Sequence, residues 1–224
     1  MKNKRNIIVI AVIVLVVIAV GITTYTLIQN QLTLQANRNV GSAIYKEYSA
    51  LKGEEYDKAF VSNMIVHHES AMNMVEMANV SAKRQEIKDL AMNIASSQGK
   101  EVSEMVKWQE QWGYPQTSGH MMVDAGDNAA HSMDGMATMN DELKSLSGDA
   151  FDRKFLVLMI THHQDAIDMA QPAETNAKHQ EVKDLAKAII SAQSGEIDQM
   201  TRWQRGWGFE VTNSNSLSMP GMDH

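Results

Sequence analysis

One segment of this chain occurs twice: Asp57–Gly113 aligns without a gap on Asp152–Gly208, an offset of 95 residues, with roughly half of the positions identical. Whatever the first copy folds into must recur, and the two copies must bury matching faces. In the first copy Phe60, Met64, His67, His68, Ala71, Met74, Val75 and Ala78 recur at the three- and four-residue spacing of one helix face. A second stripe follows, with Ile87, Leu90, Ala91, Ile94, Gln98, Glu101, Met105, Trp108 and Trp112, and Gly113 stands at a natural helix stop. The second copy repeats the stripe from Val182 through Gln193, Glu196, Met200, Trp203 and Trp207 to Gly208. Ser81 and its counterpart Asn176 are good N-cap residues, so the second helix of each copy is expected to begin there. Each copy therefore reads as a helical hairpin. Two such hairpins bury their apolar faces best against each other, which predicts an all-α four-helix bundle over residues 56–208.

Each first helix carries adjacent histidines among methionines: Met64-Ile65-Val66-His67-His68-x-x-Ala71-x-x-Met74, and Met159-Ile160-Thr161-His162-His163-x-x-Ala166-x-x-Met169. Neighbouring helical residues differ by about 100°. One histidine of each pair can face the bundle axis while the other reaches sideways to the next helix. Met64 and Met74 share that face; Met72 is a ligand candidate of the first copy alone, since Ile167 stands at its counterpart, and Met77 aligns with Pro172. The antiparallel register sets Met64 and His68 opposite Gln98, with Glu101 one turn on. Gln98, Glu101, Gln193 and Glu196 are therefore candidates to orient the imidazoles. A polar layer of His, Gln and Glu that fixes bundle register fits the same spacing, and spacing alone does not separate that reading from metal binding.

The segment between the copies, residues 114–147, shifts the balance. His120, Met121, Met122, His131, Met133, Met136 and Met139 lie there among Gly, Ser, Asn and Asp, where methionine has little packing to do. The tail, 209–224, repeats the theme with Met219, Met222 and His224. The chain holds seventeen methionines and no cysteine. Thioether with neutral imidazole suits Cu(I), with Ag(I) as an alternative, whereas zinc more often takes thiolate or carboxylate. No histidine has Glu three residues before it, as a di-iron bundle needs, and phosphate loops, haem-attachment motifs and nucleophile elbows are missing from the sequence.

The N-terminus fixes the expected compartment. Lys2, Lys4 and Arg5 form a basic tip over 1–6, ahead of an apolar run over 7–28. Twenty-two helical residues span roughly 33 Å, enough to cross a bilayer core. Charge placement leaves the tip in the cytoplasm and the remainder outside. No small-x-small site directly follows the run, so an uncleaved anchor is expected, with secretion the outcome if it is cleaved. Residues 29–55 read as a partly helical spacer. Without the three basic residues the net charge moves from −7 to −10, a poor match to nucleic acid or anionic lipid.

The histidine pairs with Ala71/Met74 and Ala166/Met169, Gln98-x-x-Glu101-x-x-x-Met105-x-x-Trp108 with its second copy, and Phe151-Asp152-x-x-Phe155 together resemble a known family, the bacterial domain of unknown function, family 305. The resemblance covers about residues 55–208. It implies a ferritin-like four-helix bundle, usually exported, and in some members copper or silver binding in the periplasm that supports resistance. It implies metal roles most directly for His67, His68, His162, His163, Met64, Met74, Met159 and Met169. The sequence departs from the pattern at Pro172, expected to shorten the third helix, and at Ile167. The expectation is a membrane-anchored, extracytoplasmic bundle that binds Cu(I) for tolerance or for delivery to a metal-exchange partner. A metal-independent interaction domain with a polar core is the competing class. A metal-dependent redox enzyme ranks last, because no substrate chemistry is visible.

Overall fold

The computed structural model describes residues 43–116 and 140–212. Its helices are α1 (Ala43–Ala50), α2 (Glu54–Ser81), α3 (Gln85–Trp112), α4 (Gly148–Ala170), α5 (Ala173–Asn176) and α6 (Gln180–Gly206). Among the described residues there are no strands, only the isolated bridges Gly53–Ala177 and Ala82–Gly148, which are themselves repeat-equivalent. Helix α2 packs on α3, α4 packs on α6, and the two hairpins meet through α2 and α4. The bundle is all-helical, as the repeated stripes require.

The core divides in two. One apolar cluster gathers Met74, Val75 and Ala78 of α2, Ile87, Leu90 and Ile94 of α3, Phe151, Phe155 and Met159 of α4, and Met200 of α6. The other gathers Tyr56, Phe60 and Met64 of α2, Met105 of α3, Ala166 and Met169 of α4, and Val182, Ala186 and Ile189 of α6. On every long helix the stretch between the two clusters holds the polar residues of the stripe: His67 and His68, Gln98, His162 and His163, Gln193. Each buried aromatic or aliphatic side chain contributes about 1.5–3 kcal/mol, so two such clusters carry the fold and leave the middle layer free for polar groups.

The expected N-caps are not where the second helices start. Ser81 ends α2 and Asn176 ends α5, while α3 and α6 start after Arg84 and His179, neither of which makes a side-chain cap bond. The orphan N–H groups are met from the other repeat. Asp152 accepts from the backbone N–H of Lys83 (2.9 Å) and Arg84 (3.2 Å). Asp57 accepts from those of Lys178 (3.0 Å) and His179 (3.0 Å). Both carboxylates are fully buried. A carboxylate at a helix start satisfies donors and opposes the positive end of the helix dipole, so a neighbouring helix can do a local cap's work.

The stops follow the sequence more closely. Gly113 (φ 67°) takes the left-handed conformation that lets Tyr114 N–H reach Gln109 O, and Gly208 (φ 71°) serves the matching bond from Phe209 to Gln204. Pro172 follows Ala170, the end of α4, and α5 continues as a separate short turn. The bundle also extends past the expected bounds. Tyr48 of α1, in the stretch read as spacer, is buried. Residues 140–144, in the stretch read as a flexible connection, are helical and bury Leu143, and Phe209 of the tail packs on the core. No described helix is long and apolar enough to cross a membrane; the expected anchor at 7–28 and the tip at 1–6 lie outside the described residues.

Candidate metal centre

All four paired histidines sit in the middle layer and are fully or almost fully buried. The outward member of each pair reaches the second helix of its own hairpin. His68 Nε2 donates to Glu101 at 2.6 Å, and His163 Nε2 donates to Glu196 at 2.7 Å. The carboxylates are partly exposed, 18% and 22% at the side chain, so each remains solvated while its imidazole is dry. A donor at Nε2 leaves Nδ1 with the lone pair, and neither Nδ1 finds a partner among the described residues.

The inward members meet each other. His67 and His162 stack across the hairpin interface with ring centroids 3.7 Å apart and planes 35° from parallel. Repeat-equivalent residues in mutual contact are what a two-fold relation between the repeats produces. His162 Nε2 donates toward His67 O (3.0 Å) and lies 3.0 Å from Ser70 Oγ, which itself donates to His67 O at 2.7 Å. Burial, then the neighbouring imidazoles, hold His67 and His162 well below the ordinary imidazole range; for His162 the bond to His67 O works partly against this. Both rings are neutral at neutral pH, the form a metal ion needs.

Eleven buried side-chain nitrogen or oxygen atoms lack a partner among the described residues, and eight of them lie in this layer: both ring nitrogens of His67, Nδ1 of His68, His162 and His163, both amide atoms of Gln98, and Oε1 of Gln193. Gln98 and Gln193 therefore do not bond the histidines as the register suggested; Glu101 and Glu196 do. Among the described residues no three His, Asp or Glu side chains converge on a point that could hold a metal ion. The layer is a field of imidazole lone pairs rather than a hard-ligand cage.

The methionines sort across the repeats. Met64 and Met169 join one apolar cluster with Met105, while Met159 and Met74 join the other with Met200. Thioethers from both hairpins thus flank the histidine layer on each side. Met72 is half-buried and belongs to neither set of buried core residues. His120, Met121, Met122, His131, Met133, Met136 and Met139 lie outside the described residues, as do Met219, Met222 and His224.

One asymmetry escaped the sequence reading. Asp165 stands where the first repeat has Ser70, and burial together with the Asp168 carboxylate pushes it up to about 7. The signal was present as a small hydroxyl replaced by a carboxylate, three residues after an inward histidine. The four tryptophans stack in pairs, Trp108 on Trp112 and Trp203 on Trp207, at the far ends of α3 and α6 and away from the layer.

The family model described as "Domain of unknown function (DUF305)" matches residues 57–204. No curated protein matches the sequence. Among solved structures, one titled "CopM in the Cu(I)-bound form" is 35% identical, with a TM-score of 0.55 over 67% of this chain and 96% of that one. The same protein in its Cu(II)-bound form is 36% identical, with a TM-score of 0.57 over 70% and 99%, and it has also been solved with silver. A DUF305 fragment from Deinococcus radiodurans is 28% identical, with a TM-score of 0.60 over 69% and 99%.

Proposed function

The chain belongs to the DUF305 family, and we propose that it is a binder of soft monovalent metal, Cu(I) first and Ag(I) second, with the histidine layer as its slow-releasing site. One observation carries this reading. Buried polar atoms normally find partners, and an orphan costs about 1–3 kcal/mol. Four imidazole lone pairs, one from each paired histidine and none with a partner among the described residues, in a layer flanked by thioethers, suit an occupant from outside the chain that accepts lone pairs. A cation does so, and a soft one tolerates the sulfur around it.

In this reading His68 and His163 bind through Nδ1, since Glu101 and Glu196 hold the proton on Nε2. Carboxylate–imidazole–metal arrangements use that logic to fix the tautomer and raise ligand basicity. His67 and His162 present further lone pairs at the hairpin interface. Met64, Met74, Met159 and Met169 supply thioethers from the flanking clusters, and Met72 adds one in the first repeat only. The relatives solved with Cu(I), Cu(II) and silver support the metal class. The Met/His-rich linker and tail would capture ions and pass them to the bundle or to an exchange partner. An exported domain tethered through residues 7–28 completes the proposal, with tolerance or delivery as its purpose.

The test is metal stoichiometry on metal-free protein in direct Cu(I) competition with a chelator. Replacement of His67, His68, His162 and His163 together should remove the slowest-releasing ion. The competing reading, a polar layer that only fixes register, is favoured by the two His–Glu bonds and predicts lost stability with unchanged metal binding. Zn(II) bound as tightly as Cu(I) would also overturn the assignment.

A further inference from the structure

The repeats place two equivalent clamps at the starts of α3 and α6, and the clamps differ in one respect. In the first, Arg84 Nη1 donates to Asp152 (2.7 Å) and to Asp149 (2.7 Å), and its guanidinium lies 4.4 Å from the Trp207 ring centre and 4.8 Å from that of Phe209. In the second, the counterpart of Arg84 is His179. Its Nδ1 donates to Asp57 at 2.6 Å, and its ring lies flat on Trp112, with centroids 3.9 Å apart and planes 6° from parallel. Tyr114, the counterpart of Phe209, lies edge-on to the same imidazole. Asp57 meanwhile caps α6, as Asp152 caps α3. One clamp holds a cation at every pH; the other holds one only when its imidazole is protonated.

We propose that His179, Asp57 and Trp112 form an acid-tightened clamp that holds the start of α6 against the first hairpin. Protonation turns the Asp57 bond into an ion pair in a dry site and turns the stack on Trp112 into a cation–π contact. A cation beside a helix start is ordinarily unfavourable. Arg84 shows that this fold accommodates one there when a buried carboxylate faces it.

The charged surroundings agree. From α2, Asp57 bonds the ring directly, Glu54 is paired with Lys58 and Lys178, and Lys58 lies over the Tyr114 ring. From the end of α3, Trp112 and Tyr114 complete the enclosure; burial, then Asp57 and Glu54, push the Tyr114 phenol up to about 12, so it stays neutral. Beside His179 on its own segment, Lys178 is engaged by Glu54. Asp57 is thus the fully buried carboxylate that touches the ring.

Two readouts on the full chain test this. A protonated imidazole stacked on indole quenches its fluorescence, so emission should fall on acidification over the pH range in which the clamp gains its proton. Amide exchange at residues 180–183 should slow by roughly fivefold over the same range after correction for intrinsic rates. His179→Arg should hold the amide protection at its acid value at every pH, and His179→Gln should remove both pH dependences while the bundle remains helical. His179→Gln leaves the histidine layer unchanged, so the difference from it isolates the clamp. The proposal is overturned if His179→Gln keeps the wild-type fluorescence profile, or if amide protection at 180–183 does not respond to pH. Metal-free protein serves throughout, so the outcome stands apart from copper binding.

Discussion

Glu101 and Glu196 are where a structural role and a metal role predict different numbers. Consider Glu101→Gln with Glu196→Gln. Each carboxylate takes a proton donor from a fully buried imidazole, at 2.6 and 2.7 Å, while itself 18% and 22% exposed. Glutamine keeps the volume and one acceptor oxygen, so the hydrogen bond survives as a neutral one. Charged hydrogen bonds contribute about 1.5–3 kcal/mol and neutral ones about 1, and partial exposure discounts the difference further. The stability loss should be about 1 kcal/mol per site, or about 2–4 °C each for a domain of this size. Metal affinity should fall further. Glutamine can turn its NH2 group toward the ring, which leaves the lone pair on Nε2 and the proton on Nδ1, the nitrogen proposed to bind. Loss of such an orienting partner typically costs 10–100-fold in affinity. Cu(I) competition titration and thermal melting on the same preparations give both numbers, and nitrogen-15 spectra of the imidazoles report the tautomer. A double variant that melts lower yet binds Cu(I) within about twofold of wild type would refute the reasoning, since the carboxylates would then only complete a polar core.

Asp152→Ala and Asp57→Ala each remove the acceptor for two backbone donors and one side-chain donor, so each should cost about 3 kcal/mol in denaturant melts with helix content retained in the folded state; a loss under about 1 kcal/mol would mean the ends fray without consequence. Because His67 and His162 resist protonation in the fold, the unfolded chain gains protons first as pH falls through about 6.5, and stability should drop below that point. Asp165 acts with the opposite sign: its raised value, about 7, disfavours the folded state above that pH and the effect fades as pH falls toward 4. Asp165→Asn should therefore stabilise metal-free protein at pH 8 and steepen the acid-side loss, read from denaturant midpoints against pH. Replacement of Met121, Met122, Met133, Met136 and Met139 should lower the number of bound ions and leave the melting temperature nearly unchanged; a large drop in melting temperature with full copper binding would make that segment a packed element.

Local spacing made much of this molecule legible before any coordinates. Three- and four-residue recurrence fixed which faces of α2, α3, α4 and α6 turn inward, and the antiparallel register brought His68 to within a turn of Glu101. Membership of the DUF305 family was readable from the same residues. What stayed hidden depends on contacts distant in sequence. Ser81 has the chemistry of an N-cap, yet the chain turns three residues later because Asp152, 69 residues beyond Lys83, supplies a stronger buried acceptor. Tyr48 and Leu143 look like isolated apolar residues in polar stretches; only the assembled bundle offers the surfaces that bury them. Gln98 illustrates a different miss. It lies in the layer, but its amide finds no partner there, because the imidazoles turn past it toward Glu101 and toward each other.

The division of the core argues that neither hairpin owns a site. Each apolar cluster draws its α2 and α4 residues from opposite ends of antiparallel helices, so Met64 shares a cluster with Met169 and Met74 with Met159. The inward histidines come one from each repeat and stack on each other. The helix starts are capped across the repeats as well. A lone hairpin would expose its histidines, lose part of each thioether set and leave its second helix uncapped. The duplicated sequence is therefore best understood as two halves of one centre, and whatever the layer holds is held by the joined pair. This explains why both copies keep His-His, Met and Asp at the same positions while solvent-facing positions such as Met92 and Lys187 differ: the buried set answers to its partner repeat, and the exposed set answers to water.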